Sequence, residues 1–162
     1  LSGELINQMV GTRIQHVPYR GVGPAMTAVI AGEVDTLIDN LTTALPPIRN
    51  GLVVPLAVTS RERLPDLPDV PVLSELGAEF GMEGFEAEAW FGLHTHKSAS
   101  DTVVARMAEA AQAALADPAL RRQLSERGTT PRGGPPGDYA QLVHSERARW
   151  LRVVRTGNVQ VD

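Results

Sequence analysis

Short apolar runs that are typical of strands alternate with helical segments through the first sixty residues. Residues 14–17, 36–38 and 53–58 have the strand pattern, whereas residues 24–30 and 42–50 have the spacing of helices. Buried strands with helices on both faces favour a mostly parallel sheet over a β-sandwich or a helical bundle. The alternation therefore predicts an α/β fold.

The pattern changes near residue 90, which divides the chain into two predicted parts. Residues 86–93 alternate weakly between polar and apolar side chains, as a strand or an extended crossover does. The sequence beyond them is mainly helical, with amphipathic stretches at residues 100–116 and 138–154. We therefore predict two regions, residues 1–88 and residues 89–162.

Composition and charge exclude several classes of protein. The 162 residues carry 15 basic and 19 acidic side chains, and the net charge of −4 argues against a nucleic-acid-binding surface. The absence of cysteine excludes disulfides and thiolate metal sites. No apolar run approaches the ~18 residues of a membrane span. The chain starts inside an amphipathic helix without a signal-peptide pattern, from which we expect that an upstream segment was removed.

The segment from Val17 to Ala25 has the composition of an anion-binding turn. It joins a strand end to two glycines, Gly21 and Gly23, and then to Pro24, which we predict at the first position of a helix. Glycines let backbone N–H groups approach a ligand, and the helix dipole favours a carboxylate or a phosphate. The alternative is an ordinary tight turn between a strand and a helix, and spacing alone leaves both open.

Two further pairs of residues are candidates for ligand contact. Asp39 and Asn40 follow the second predicted strand, at the sheet edge where α/β proteins bind ligands. The alternative is that Asp39 or Thr42 only caps the next helix. Trp90 and Phe91 lie at the predicted crossover, where an aromatic pair either fills a hinge core or lines a ligand cleft.

No motif for catalysis, a cofactor or a metal stands out. The sequence contains no Gly-x-Ser-x-Gly elbow, no His-Glu-x-x-His pair and no complete dinucleotide or phosphate-loop fingerprint. His94 and His96 could approach one metal ion, but a polar loop explains both residues and no carboxylate lies close in sequence. We therefore predict a protein that is not an enzyme and that has no cofactor or metal.

Taken together, these segments resemble the substrate-binding receptors of tripartite tricarboxylate transporters, the Bug family. The segments that carry the resemblance are Val17-Pro18-Tyr19-Arg20-Gly21-x-Gly23-Pro24-Ala25, Ala31-Gly32-Glu33-Val34-Asp35, Asp39-Asn40, Leu56-Ala57-Val58-Thr59-Ser60, Leu67-Pro68-Asp69-Val70-Pro71 and Trp90-Phe91-Gly92-Leu93. Each segment is weak alone, whereas their order and spacing are specific. The resemblance extends over nearly the whole chain.

The resemblance implies a periplasmic receptor with the type II periplasmic binding protein fold, which closes on a small organic acid. It also implies delivery of that acid to membrane subunits of a transporter, without catalysis and without nucleic acid. The family has a further half-chain upstream. Residues 1–88 then correspond to the second lobe, and residues 89–162 to the hinge crossover and the C-terminal part of the first lobe.

The hypothesis assigns a role to each candidate ligand-binding residue. These residues are Tyr19, Gly21, Val22, Gly23, Asp39, Asn40, Trp90 and Phe91. Residues 21–23 donate backbone N–H groups to a carboxylate, Tyr19 and residues 39–40 hold the other end, and the aromatic pair lines the cleft. Two departures from the family pattern are Arg20, where lysine is common, and the turn at residues 94–98.

Two other functions stay open at this point. The chain could be an interaction module, because an incomplete lobe exposes apolar surface that a partner or a second copy covers, which allows a homodimer. It could also be the ligand-sensing domain of a transcription regulator, which needs a DNA-binding segment that this sequence does not contain.

Overall fold

The computed structural model describes residues 1–159, and helices supply its regular structure. The α-helices are α1 (Ser2–Val10), α2 (Val22–Ala31), α3 (Leu41–Arg49), α4 (Gly77–Phe80), α5 (Asp101–Ala116), α6 (Pro118–Glu126) and α7 (Pro136–Thr156), and a 3₁₀ helix (Leu73–Leu76) precedes α4. Helix formation at α1, α2, α3, α5 and α7 confirms the helical spacing read from the sequence.

The predicted parallel sheet is not formed within residues 1–159. Residues 14–17, 36–38, 53–58 and 86–93 are not helical, but no ladder joins them. The described residues contain one isolated parallel bridge, between Val58 and Val72, in which the Val58 N–H donates to Pro71 and the Leu73 N–H donates to Val58. A strand is stable only when a neighbouring backbone pairs with it, and these segments have apolar strand composition without such a neighbour. The described part of the chain therefore shows the helices of the α/β prediction and not its sheet.

The chain divides into two compact units, which we describe separately. The first unit contains Leu1–Ala89 together with residues 150–159. Its apolar core cluster consists of Val58, Val70 and Val72, against which Leu64 and Leu67 pack. The cluster brings the isolated bridge together with the proline-rich segment that follows it.

In the proline-rich segment of the first unit, residues 61–71, Arg63 makes three hydrogen bonds. Two guanidinium nitrogens of Arg63 donate to the two carboxylate oxygens of Glu75, at 3.0 and 2.7 Å, and a third donates to the Pro68 carbonyl at 3.0 Å. Both side chains are exposed, so solvent screens the pair. The contact ties the loop to the 3₁₀ helix.

The second unit consists of Trp90–Arg149 and contains α5, α6 and most of α7. Ser100 caps α5 through the Val103 N–H, and Asp117 caps α6 through the N–H groups of Ala119 and Leu120. Pro118 occupies the first turn of α6, where a missing N–H costs nothing. No helix within residues 1–159 combines the length and the apolar character that crossing a bilayer requires. The assignment of the two units to lobes of a receptor stays a prediction.

Candidate functional site

The turn before α2 depends on the unusual backbone conformation of Gly21. This residue is the N-cap of α2 and has φ 103° and ψ 173°, a region that is open almost only to glycine. The Gly21 N–H donates to the Tyr19 carbonyl at 2.9 Å. The predicted donor at Gly21 is therefore already paired in the structure, and the role of Gly21 is to shape the turn.

Two backbone donors remain at the start of α2. The sequence predicted Pro24 at the first position of the helix. The helix begins at Val22 instead, so Pro24 is its third residue. The four N–H groups at a helix start have no intrahelical acceptor; here Gly21 uses one and Pro24 lacks one. Within the described residues, the N–H groups of Val22 and Gly23 have no acceptor, and both residues are exposed. Tyr19 is half-buried beside them in sequence.

The turn before α3 holds Asp39 and Asn40 in different states. Asp39 accepts the Asn40 N–H on Oδ1 and the Thr43 hydroxyl on Oδ2, both at 2.7 Å. The Asn40 carbonyl accepts the N–H groups of Thr43 and Ala44, but its side chain makes no capping bond. Asp39 therefore fixes the turn through the Asn40 N–H and the Thr43 hydroxyl without capping α3, and the exposed Asn40 amide is the group that a ligand can reach. Among the described residues, no hydrogen bond joins this turn to the turn before α2.

In the second unit, alternate residues after Ala89 face one tyrosine of α7. The rings of Trp90 and His94 meet the Tyr139 ring edge-on, with centroids 5.7 and 5.3 Å away. The Tyr139 hydroxyl lies 2.8 Å from His94 Nε2. A side chain at Gly92 would collide with the same ring. Period-two spacing of this kind is that of an extended chain.

The two predicted aromatic contacts consequently differ. Trp90 is 38% exposed and packs on Tyr139, whereas Phe91, between the residues that face Tyr139, is 77% exposed. Phe91 is therefore the more available ring for a ligand. Sequence reasoning missed Tyr139 and Gly92, although the spacing Trp90-x-Gly92-x-His94 was the available signal.

His94 and His96 belong to separate hydrogen-bonded pairs. His94 Nε2 contacts Tyr139, and His96 Nδ1 lies 2.7 Å from the Ser98 hydroxyl. No cluster of three or more potential metal ligands occurs in the described part of the chain. Each histidine ring therefore has its own hydrogen-bond partner, as expected for polar residues of a loop.

Ion pairs shift several pKa values in the first unit. The hydrogen bond and the charge of Glu86 raise the pKa of Arg61. The hydrogen bonds and the charge of Arg63 lower the pKa of Glu75 from its usual range. The Arg63–Glu75 pair joins the proline-rich segment to the 3₁₀ helix that contains Glu75. It assigns no chemistry to Glu75.

Comparison with solved structures places the fold among periplasmic binding proteins. The Rhodopseudomonas palustris protein Rpa4515, solved with adipate, is 33% identical, with a TM-score of 0.85 over 97% of this chain. MatC (Rpa3494) from the same organism, with bound malate, is 35% identical, with a TM-score of 0.79 over 94% of the chain. The periplasmic binding protein BugD is 28% identical, with a TM-score of 0.81 over 98% of the chain. The chain covers 51–52% of these three structures.

Residues 1–159 match the family model described as "Tripartite tricarboxylate transporter family receptor", and the chain belongs to this family. A relative in the tcbD–tcbE intergenic region of Pseudomonas sp. strain P51 is 35% identical over 95% of this chain. The chain spans 45% of that relative. A relative in the clcB–clcD intergenic region of Pseudomonas knackmussii is 30% identical over 95% of this chain, and the match covers 89% of that relative. The resemblance identified from the sequence motifs is confirmed.

Proposed function

We propose that this chain forms part of a periplasmic solute-binding receptor that captures a small organic carboxylate and delivers it to the membrane subunits of a tripartite transporter. The observation that carries the proposal is the family match over residues 1–159. It is supported by two solved neighbours above 30% identity that contain adipate and malate. A receptor function requires binding and release of the solute without conversion.

In the first unit, the proposed ligand site consists of the starts of α2 and α3. The N–H groups of Val22 and Gly23 donate to a carboxylate, helped by the dipole of α2. Asn40 supplies a side-chain amide, and Asp39 positions Asn40 through its hydrogen bond to the Asn40 N–H. Tyr19 adds a half-buried phenol. These residues hold an organic acid by hydrogen bonds, with no nucleophile among them.

In the second unit, we propose Phe91 as the residue that contacts the apolar part of the ligand. Its ring is 77% exposed and makes no ring contact within the described residues. Trp90 contributes indirectly, because its packing on Tyr139 fixes the backbone that carries Phe91. Replacing Phe91 with alanine is expected to weaken ligand binding with little effect on stability.

This chain alone is expected to bind carboxylates weakly. Each charge-assisted hydrogen bond contributes about 1.5–3 kcal/mol, so the two free N–H groups give about 3–6 kcal/mol. A micromolar complex requires about 8 kcal/mol net, after the ordering costs of association. Calorimetry that gives a micromolar Kd for adipate on the 162-residue chain would contradict this expectation.

Thermal unfolding with matched ligands tests the proposed function. At a concentration about tenfold above its Kd, adipate stabilises the folded chain by about 1.4 kcal/mol, which raises the Tm by about 3–6 °C. Adipamide has the same carbon chain without the charges and is the control. A Tm increase with adipate alone supports carboxylate recognition, whereas equal increases, or none across a panel of mono-, di- and tricarboxylates, would overturn the proposal.

Self-association is a second candidate function, because apolar residues of the first unit are exposed on segments without a pairing strand. Val54 and Leu56, in a predicted strand, are 79% and 72% exposed. The accessible surface of the chain is 11875 Å². Two separate compact proteins, each with half the mass of this chain, would together expose about 9,500 Å². The excess exceeds the roughly 1,600 Å² of a standard interface. A second copy that pairs along residues 53–58 would cover part of it.

Light scattering across a dilution series tests the second candidate. Wild-type chain is expected to dimerise, and a Val54→Thr, Leu56→Thr variant is expected to be monomeric because the covered apolar area is lost. Val103→Thr is the control, since Val103 is also exposed but lies on α5 in the second unit. A monomeric wild type at every concentration would exclude this function.

A further inference from the structure

The second unit contains a groove beside the first turns of α7 that the proposed receptor site does not use. Its volume is about 310 Å³, and residues 93–95 and α7 line it. The α7 residues that line it are Pro136, Tyr139, Ala140, Val143 and His144, which recur every three or four positions and so share one helix face. We call this cavity the α7 groove.

Each polar side chain of the α7 groove is able to donate a hydrogen bond to a ligand. His94 Nε2 shares a hydrogen bond with the Tyr139 hydroxyl, which leaves Nδ1 as the His94 nitrogen that faces a ligand. The His144 ring and the Thr95 hydroxyl also line the groove, and neither is hydrogen-bonded to any residue from 1 to 159. No aspartate or glutamate lines the groove in this part of the molecule. The lining therefore favours an acceptor that carries negative charge.

Helix α7 adds a cation on the same face. Arg147 lies three residues after His144, is exposed, and forms no ion pair with another described residue. At about 100° per residue, the acidic residues Asp138 and Glu146 lie about 120° and 160° around the helix from His144. The groove is therefore locally basic on a chain whose net charge is −4.

The remaining walls are apolar. Leu93 and Val143 line the groove together with proline and alanine side chains. An inorganic ion would leave this surface uncovered, whereas an organic anion with a short hydrocarbon part would bury it. The groove is open to solvent, and Leu93 in its wall is 72% exposed.

We propose that the α7 groove is a second ligand site that binds a small organic carboxylate with an apolar tail. The carboxylate receives hydrogen bonds from His94, His144 and Thr95 and faces Arg147, and the tail packs on Leu93 and Val143. This site is separate from the starts of α2 and α3. It stands or falls independently of the proposed receptor function.

Histidine NMR gives a site-specific test, because the chain contains only four histidines. Hexanoate is the probe, and the imidazole C–H signals of His16, His94, His96 and His144 are followed during its titration. We expect saturable shifts at His94 and His144, while His16 and His96, which do not line the groove, stay unchanged. Shifts at all four histidines, or at none, would overturn the proposal.

Three comparisons define the ligand chemistry and the residues. Hexanol and inorganic phosphate each lack one half of the proposed ligand, and either one binding as tightly as hexanoate would contradict the assignment. Arg147→Gln is expected to weaken hexanoate binding about two- to fivefold, because Arg147 is exposed and solvent screens its attraction for the carboxylate. The control Arg106→Gln removes the same charge from an exposed arginine of α5 and is expected to leave the Kd unchanged. Equal losses of hexanoate affinity in the two variants would show that only the net charge of the chain matters, which would contradict a role for Arg147.

Discussion

At the scale of single residues, backbone conformation decides which groups at the start of α2 can face a ligand. Gly21 pairs its N–H with Tyr19, whereas the N–H groups of Val22 and Gly23 have no acceptor among residues 1–159. The pairing requires a conformation that side chains with a Cβ rarely adopt. The carboxylate site that we propose therefore depends on a residue that contributes no ligand contact of its own.

Alanine at Gly21 is expected to destabilise the chain, whereas alanine at Gly23 is not. Nothing lies within 4 Å of a Cβ at either position, so crowding does not distinguish them. Only Gly21 has positive φ, which costs about 1–3 kcal/mol for alanine, while alanine in a helix gains about 0.5–1 kcal/mol over glycine. Urea unfolding of Gly21→Ala and Gly23→Ala measures the difference. Equal stabilities would show that the turn does not depend on the Gly21 conformation.

Gly92 is expected to be intolerant of any side chain because of its contact with Tyr139. An added Cβ would overlap the Tyr139 ring and displace it from His94. Gly92→Ala should therefore lose about 1–3 kcal/mol and the near-ultraviolet dichroism of the Trp90–Tyr139 pair. The control is Gly137→Ala on α7, where nothing lies within 4 Å. Full stability of Gly92→Ala would contradict this packing.

The sequence identified the candidate residues but not how each one is used. Asp39 and Asn40 are adjacent in the sequence, yet Asp39 is occupied by Asn40 and Thr43 while the Asn40 amide is free within the described residues. Trp90 and Phe91 differ in the same way. Which neighbour faces a partner depends on backbone direction at that residue, and residue type does not fix that direction.

At the scale of elements, helices were predictable and strands were not. The spacing of residues 24–30 and 138–154 indicated α2 and α7 because a helix satisfies its hydrogen bonds within one segment. The apolar segments at residues 14–17 and 53–58 have strand composition, but a strand depends on a pairing partner elsewhere. Periodicity records the preference of a segment and gives no information on that partner.

The ion pair between Arg63 and Glu75 predicts a pH dependence for the proline-rich segment. Because Arg63 lowers the pKa of Glu75 in the folded chain, the contribution is fully present above the unfolded pKa. It is lost as the pH falls through the lowered folded pKa. Urea unfolding between neutral and acidic pH should therefore show a smaller loss for Glu75→Gln than for wild type.

A matched acidic residue and salt provide controls for the pH experiment. Glu79 is exposed on α4 and forms no ion pair with another described residue, so Glu79→Gln should keep the wild-type pH dependence. Because the Arg63–Glu75 pair is exposed, about 1 M salt should remove most of the difference between Glu75→Gln and wild type. A Glu79→Gln profile that matches Glu75→Gln would attribute the effect to net charge.

At the scale of the whole molecule, the first unit is formed from both ends of the chain. Gln8 of α1 donates to the Val153 carbonyl at 2.9 Å, across 145 residues of sequence. The sequence predicts a boundary near residue 89, because the crossover separates two composition patterns. The return of residues from Trp150 onward to the first unit was not readable, since a contact between distant segments has no local signature.

Val153 is the residue through which this return can be tested. Its side chain is 5% exposed in the first unit, so Val153→Ala is expected to lose about 1–3 kcal/mol through lost burial and a residual cavity. Leu151→Ala, at an exposed neighbouring position, should lose less than half as much. Hydrogen exchange should show that Val153→Ala reduces protection in α1 more than in α5, because α1 belongs to the same unit as Val153. Equal losses in α1 and α5 would mean that the two units unfold together and that Val153 does not stabilise the first unit specifically.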